Sequence, residues 1–334
     1  MLGNGHLQLQ THIFRLALQR LEGNLNDSLD SYLRLLFMRP FIEYVMRSRL
    51  HAMGALSLLA FATLIFPPIG YLTGAVVALV TLRQGPSEGI ISLLGGLGLA
   101  MVLHRISGGH ELSIALMAVF WVPVWVIAGL LRSTQSLRIA FQVAALFGVL
   151  ALFIFYMISE GDPALWWQNV VQSLFEEEPS ALMAGEEMLL DPRLAEVLTG
   201  VMAAGFFLGL VTMLLLGRAW QAMLYNPGGM KQEFLALQMG RNSVLLGLVV
   251  MLPGLLMGDE VPAIVPDLMQ IWMTLFMVQG IAVGHAVLEL RKAGKGWVMA
   301  LYFATLFTPL GFIITMIGVS DAWIDYRRQL SPMN

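Results

Sequence analysis

Long apolar runs with almost no charge, separated by short polar breaks, occupy most of the chain after His51. Three examples near the end are residues 243–257, 268–290 and 297–319. Runs of this kind can cross the roughly 30 Å hydrocarbon layer of a bilayer as helices. They do not alternate as the strands of a membrane barrel do. The pattern predicts an all-α, polytopic transmembrane helix bundle.

We expect about eight to ten membrane helices, because several of the runs are short for a full crossing. The predicted helices are His51–Phe66, Ile69–Leu82, Gly89–Leu103, Glu111–Leu131, Ile139–Ser159, Leu194–Leu216, Ser243–Met257, Leu268–Leu290, Trp297–Thr308 and Leu310–Trp323.

Composition supports a membrane protein: 57% of the residues are hydrophobic and 12% are charged, against about 25% charged in soluble domains. The net charge is −3 and no basic stripe stands clear of the membrane flanks, so nucleic acid is not an expected partner. The chain contains no cysteine, which excludes disulfides, zinc sites built on thiolates and cysteine nucleophiles.

The distribution of Lys and Arg predicts the orientation, since cytoplasmic loops carry an excess of these residues. Six arginines between Arg15 and Arg49 place the N-terminus in the cytoplasm. The C-terminal Arg327 and Arg328 also lie inside if 297–323 is a hairpin of two short helices, which we favour over a single crossing.

Two segments lie outside the predicted bundle of residues 51–330. Residues 1–50 read as a cytoplasmic amphipathic arm, broken near Pro40. The loop at about 159–193 is acidic and predicted to be external, with a short helix from Pro163 to Glu177 that carries two tryptophans. It is either a solvated loop with an aromatic anchor or a lid over an outward-facing cavity.

Polar groups at membrane depth are candidate functional residues, because each charge costs at least about 2.5–3.5 kcal/mol there. Gln279, His285 and Glu289 share one predicted helix, and the last two lie on one face. A histidine beside a carboxylate is suited to proton relay or to binding a polar ligand. A purely structural hydrogen bond between helices, with Glu289 at the cytoplasmic rim, is the alternative.

The C-terminal Asp321, Asp325 and Arg327 form a second polar group, for which an ion-paired helix end at the interface is the simpler interpretation. His104, His110 and Glu111 are too few for a convincing metal site. No phosphate loop or catalytic constellation is present, so we predict neither an enzyme nor a cofactor.

An internal echo links residues 61–71 with residues 303–312. In both, Phe-Ala-Thr-Leu is followed by proline and glycine between two short apolar helices. Interrupted helices and internal symmetry are typical of transporter binding sites. The alternative is a chance similarity, because apolar helices broken by proline and glycine are common in membrane proteins.

Four separated motifs follow one another along the chain: residues 81–89, residues 225–229 with Glu233-Phe234, Gln279-Gly280 with His285, and residues 318–328. They resemble motifs of the YybS-like bacterial inner-membrane proteins, a family of unknown function. The likeness covers roughly residues 46–330 and excludes the N-terminal arm. The resemblance implies a bacterial cytoplasmic membrane protein.

After the first two predicted helices, Gly85, Pro86 and Gly89 form a Gly-Pro-x-x-Gly turn predicted to be cytoplasmic. This opening resembles, more weakly, that of the S components of energy-coupling-factor transporters. The resemblance implies a small-molecule cavity and dependence on a separate energising complex, because this chain has no nucleotide motif.

The favoured hypothesis is a transport component that binds a small solute, with membrane lipids and possibly an energising complex as partners. It predicts a polar cavity reached by Gln279 and His285. The alternative is a scaffold that organises envelope complexes, which predicts a filled bundle with an exposed apolar groove.

Overall fold

The computed structural model of the protein describes residues 38–106, 112–177, 192–257 and 261–330. The chain divides into two compact units, Met1–Ala52 and Met53–Asn334. In the described part of the first unit, residues 38–46 are helical, and Arg39 forms an ion pair with Glu43 one turn later at 2.8 Å. Pro40 lies among these helical residues, and the non-helical Arg47 and Ser48 follow them. The remainder of the predicted arm, residues 1–37, lies outside the described residues.

The rest of the described chain is mostly helical. The helices are α1 (Arg49–Thr63), α2 (Gly70–Gln84), α3 (Pro86–Ile106), α4 (Leu112–Thr134), α5 (Leu137–Ile158), α6 (Pro163–Glu177), α7 (Pro192–Tyr225), α8 (Gly229–Leu235), α9 (Arg241–Leu256), α10 (Ile264–Leu290), α11 (Lys295–Phe307), α12 (Leu310–Ile324) and α13 (Tyr326–Leu330). A short 3₁₀ turn, Pro67–Ile69, joins α1 to α2.

The predicted all-α polytopic bundle is confirmed. Each predicted apolar run corresponds to one helix, and the predicted helix Pro163–Glu177 is α6. Among the described residues, five helices are long and apolar enough to cross a membrane: α3, α4, α5, α7 and α10. The pair α11–α12 makes a sixth if it is one span. The predicted eight to ten is reached only by counting the helices of 13 to 16 residues, which are about 20–24 Å long.

The core of the bundle lies around α2, whose residues from Thr73 to Leu82 are all buried. Helix α2 packs on α4 and α7, while α7 also packs on α5 and α10. Large apolar side chains such as Leu94, Leu146 and Leu246 are exposed on the outer surface. A polar surface would be expected in water, so this exposed belt fits a lipid environment.

Contacts between helix termini define two ends of the bundle. At the end that we call the basic end, Arg132 at the end of α4 donates to the Arg83 carbonyl at 2.8 Å, and Lys231 pairs with Glu289 at 2.8 Å. At the opposite end, Trp167 of α6 donates to Thr199 at 2.9 Å. Arg218 of α7 pairs with Glu233 of α8. Thr199 and Arg218 lie 19 residues apart on α7, or about 28 Å along its axis. Helices α6 and α8 therefore lie at opposite ends, as predicted.

The helices α11 and α12 meet at an angle of 104° around Thr308 and Pro309. Arg327, just after α12, donates to the carbonyls of Leu235 and Leu237 at the basic end. Helix α11 starts at that same end, directly after α10. Both ends of the pair therefore lie at the basic end, which supports the predicted hairpin.

The echoed segments share one local hydrogen bond. Thr63 and Thr305 each donate to the carbonyl four residues earlier, at 2.8 Å and 2.7 Å. The breaks themselves differ: the first contains the 3₁₀ turn Pro67–Ile69, whereas Thr308 and Pro309 alone separate α11 from α12.

Candidate functional site

The most unusual polar site surrounds an irregular segment, residues 236–240, between α8 and α9. Leu237 and Met239 in this segment are 2% and 1% exposed. Gln279 of α10 is fully buried, and its Oε1 accepts a hydrogen bond from the Met239 backbone N–H at 2.8 Å. Gln279 lies eleven residues before the end of α10, or about 16 Å along its axis. The irregular segment therefore enters the bundle at membrane depth.

An ion pair completes the site on the other side of Gln279. The amide nitrogen of Gln279 donates to Asp321 Oδ2 at 3.0 Å, and Arg327 pairs with the same carboxylate. Asp321 is 1% exposed. Its other oxygen accepts from the Tyr326 backbone N–H at 3.2 Å. Such a buried carboxylate is stable only when paired and hydrogen-bonded.

Side chains from three helices satisfy the backbone of the irregular segment. Arg327 donates to the carbonyls of Leu235 and Leu237 at 2.9 and 2.8 Å. Gln142 of α5 donates to the Met239 carbonyl at 3.0 Å and to Ser243 at 2.7 Å. Irregular backbone at membrane depth is tolerated only where protein or water satisfies it. We call this arrangement of Gln142, Gln279, Asp321 and Arg327 around residues 236–240 the polar clamp.

The polar clamp brings together three of the residues predicted from the sequence, namely Gln279, Asp321 and Arg327. Its hydrogen-bonding groups are directed at one another and at the irregular segment. The arrangement is suited to holding that segment closed across the basic end of the bundle. Arg218 of α7 reinforces it from the side, since it pairs with Glu233 of α8 and is 8% exposed.

His285 and Glu289 do not belong to the polar clamp, and their side chains do not form a hydrogen bond or an ion pair with each other. Glu289 is exposed and pairs with Lys231. The half-buried His285 ring packs edge-on against Phe234 and Tyr302, with centroids 5.9 and 5.3 Å apart. Its Nε2 is buried and has no hydrogen-bond partner within the described ranges. The predicted interaction of His285 with a carboxylate is therefore replaced by aromatic packing.

Asp325 ends α12 instead of facing the ion pair. Its backbone is left-handed, with φ 49°, and its N–H donates to the Asp321 carbonyl. Reversal of the chain at Asp325 lets Arg327 return to Asp321, as an ion-paired helix end requires.

The Gly85-Pro86-x-x-Gly89 motif forms the tight turn between α2 and α3. Gly85 has φ +112°, a conformation that favours glycine, and Pro86 starts α3. Trp125 of α4 donates to the Pro86 carbonyl at 2.8 Å. Its ring also lies where a side chain on Gly89 would be. These contacts give the motif a structural role at the basic end.

Sequence reasoning missed Asp267, because the predicted helix began one residue later. Asp267 is 2% exposed in the first turn of α10, and Tyr156 donates to its Oδ2 at 2.7 Å. Its Oδ1 faces Gly200 and meets no donor with hydrogen-bond geometry among the described residues. An acidic residue beside Pro266 at the start of an apolar run was the available signal.

A large apolar cavity of about 630 Å³ lies between α10, α11 and α12. Its walls include Val283, Val287, Trp297, Leu301, Ala304 and Ile314. Gly280 and Gly284 of α10 face Ile314 of α12 and Leu301 of α11. The spacing of these two glycines is a small-xxx-small signal for close helix packing. Neither Gln279 nor His285 lines the cavity.

The described ranges contain no group of three or more His, Cys, Asp or Glu side chains that could hold a metal ion. His110 and Glu111, and the acidic loop residues 178–191, lie outside those ranges.

Comparisons of the chain with protein-family models, with curated proteins and with solved structures find no match. The five long apolar helices, with the possible sixth, identify it as a multi-pass integral membrane protein.

Proposed function

We propose that this chain is a transport component that binds one small, mainly apolar solute within the membrane and has no ATPase of its own. The observation that carries the proposal is the 630 Å³ cavity between α10, α11 and α12. Small-molecule sites are commonly concave, mostly apolar and about 300–1,000 Å³ in volume. The hydrocarbon lining favours an apolar solute over the polar one expected from Gln279 and His285.

The broken hairpin adjoining the cavity supports the same proposal. Transporter sites are often built from interrupted helices near the membrane midplane, and Ala304 of the cavity wall lies four residues before the break at Thr308. The polar clamp would close the basic end while the solute is bound. In this proposal, movement of the hairpin against α10 opens the cavity.

The location and partners are part of the proposal. The motifs that resemble YybS-like proteins favour the bacterial inner membrane, with the basic end cytoplasmic. The turn at Gly85 resembles that of the energy-coupling-factor S components, which favours a separate energising complex as partner.

Native mass spectrometry of gently extracted protein tests the proposal. The parent protein should carry a bound small molecule of reproducible mass. Ala304→Phe fills the cavity and should abolish that binding. Met299→Phe places the same side chain on α11 at a site that is 73% exposed and outside the cavity lining, so the molecule should remain. A parent with no bound molecule, or equal retention by both variants, would contradict the proposal.

A scaffold in envelope organisation is the second candidate. It is favoured by the polar clamp, in which the predicted ligand-binding residue Gln279 is occupied by contacts within the chain. This function predicts protein subunits, rather than a small molecule, in the same mass spectra.

A further inference from the structure

A second cavity, of about 370 Å³, lies between α5, α9 and α10. Its walls are mainly apolar and include Ala145, Val149, Leu246, Val250 and Leu268. Gln142 and Ser243 form its polar end, near the irregular segment 236–240. Because α5 and α10 are long enough to span a membrane, the apolar part of this cavity lies at the depth of lipid acyl chains.

Arg138 lies beside the polar end of this second cavity, whereas the side chain of Arg241 is directed at α12. Arg138 is one helical turn before Gln142 and therefore on the same face of α5. Its Nη1 lies 3.6 Å from the point that a Cβ on Gly240 would occupy, and Arg241 follows Gly240 directly. Arg241 donates to the Ala322 carbonyl at 3.3 Å. Neither arginine forms an ion pair with an acid in the described part of the chain.

Arg138 also faces a third cavity, which is polar and about 370 Å³ in volume. Ser136, Gln135, Gln238 and Glu233 share its lining. The charge of Glu233 is balanced by its ion pair with Arg218. Arg138 therefore stands between a polar space and an apolar one, with an unbalanced positive charge at the junction.

We propose that the protein binds one anionic phospholipid here, with the phosphate at Arg138 and an acyl chain in the cavity between α5, α9 and α10. Basic pockets between membrane helices at the cytoplasmic side are suited to anionic headgroups. The apolar cavity accommodates a hydrocarbon chain, which a free phosphate lacks. The exposed Arg138, which has no acidic partner in the described part of the chain, favours a lipid with a net negative charge over a zwitterionic one. The site is separate from the proposed solute cavity and does not depend on it.

Lipid retention in nanodiscs tests the headgroup half of the site. The protein is placed in nanodiscs of equal phosphatidylglycerol and phosphatidylcholine, released, and weighed by native mass spectrometry. The parent should retain one phosphatidylglycerol. Arg138→Gln should lower this retention about fivefold, as expected for one cation near a membrane surface. Arg328→Gln removes the same charge from an exposed position of α13 that lines none of the three cavities, and this variant should retain the lipid.

A second pair of variants tests the acyl-chain half. Ala145→Phe fills the cavity and should release the lipid, whereas Leu150→Phe, on the 51% exposed outer face of α5, should not. Three results would each overturn the proposal: equal retention of the two lipids by the parent, equal retention by Arg138→Gln and Arg328→Gln, or equal retention by the two phenylalanine variants. Displacement of the lipid by inorganic phosphate alone would also overturn it, since Arg138 would then bind phosphate without the chain.

Discussion

The backbone N–H of Met239 donates a 2.8 Å hydrogen bond to the side chain of Gln279, although one residue lies in an irregular segment and the other inside a long apolar helix. Gln279 also donates to Asp321, so one buried amide joins α10, α12 and the segment before α9. An unpaired polar group is costly where water is absent. The stability of the basic end should therefore depend on this single side chain.

Replacing Gln279 with methionine keeps the approximate shape and removes both hydrogen bonds. The Met239 N–H and one Asp321 contact then remain unsatisfied, which should cost about 1–3 kcal/mol of unfolding free energy. Denaturant unfolding in detergent micelles measures the loss. Gln329→Met, on the exposed surface of α13, is the matched control and should unfold like the parent. Equal midpoints for the two variants would show that Gln279 is not a structural link.

Two ion pairs, Arg327–Asp321 and Lys231–Glu289, should differ strongly in their contribution to stability. Arg327→Gln leaves Asp321 charged and buried, with an expected loss of about 3–5 kcal/mol. Lys231→Gln breaks the pair with Glu289, whose members are both 57% exposed, and should cost at most about 1 kcal/mol.

The double variant Asp321→Asn/Arg327→Gln tests whether the loss caused by Arg327→Gln arises from the unpaired charge on Asp321. It removes the unpaired charge and should recover part of the loss caused by Arg327→Gln in the same unfolding assay. If the double variant is no more stable than the single one, the loss does not arise from an isolated charge on Asp321.

Close approach of α10 to α12 predicts a third effect. A methyl group on Gly280 would overlap the Ile314 carbonyl, so Gly280→Ala should destabilise the protein by about 1–3 kcal/mol through overpacking. Gly98 of α3 has open space around its Cα. Gly98→Ala should therefore be neutral, or stabilising by up to about 1 kcal/mol through helix propensity. Thermal unfolding of the two variants compares them, and destabilisation by Gly98→Ala instead would contradict the packing described.

Helix positions followed well from the sequence, because hydrophobicity and helix-breaking residues act locally. Asp162 and Pro163 predicted the start of α6, and in the structure Asp162 accepts from the Leu165 N–H at 3.0 Å. The ion-paired end at Asp321 was also predictable, since its partner Arg327 lies six residues away.

Long-range pairing was not predictable in the same way. Gln142 and Met239 are 97 residues apart, and only the folded bundle brings them to 3.0 Å. Nothing local marks Leu237 and Met239 as buried, because the partners of their segment belong to α5, α10 and α13. Asp267 was missed for a similar reason: its burial depends on Tyr156 of α5 and on close approach to Gly200 of α7.

Single-cysteine labelling tests the membrane arrangement most directly, because the natural chain has no cysteine. Asn169→Cys on α6, Lys231→Cys on α8 and Arg328→Cys on α13 are each treated in intact cells with a membrane-impermeant maleimide. The account predicts labelling of position 169 from outside, and labelling of positions 231 and 328 only after the membrane is opened. Outside labelling of 328 with protection of 231 would make α11–α12 a single crossing, and the same response at 169 and 231 would contradict the bundle described.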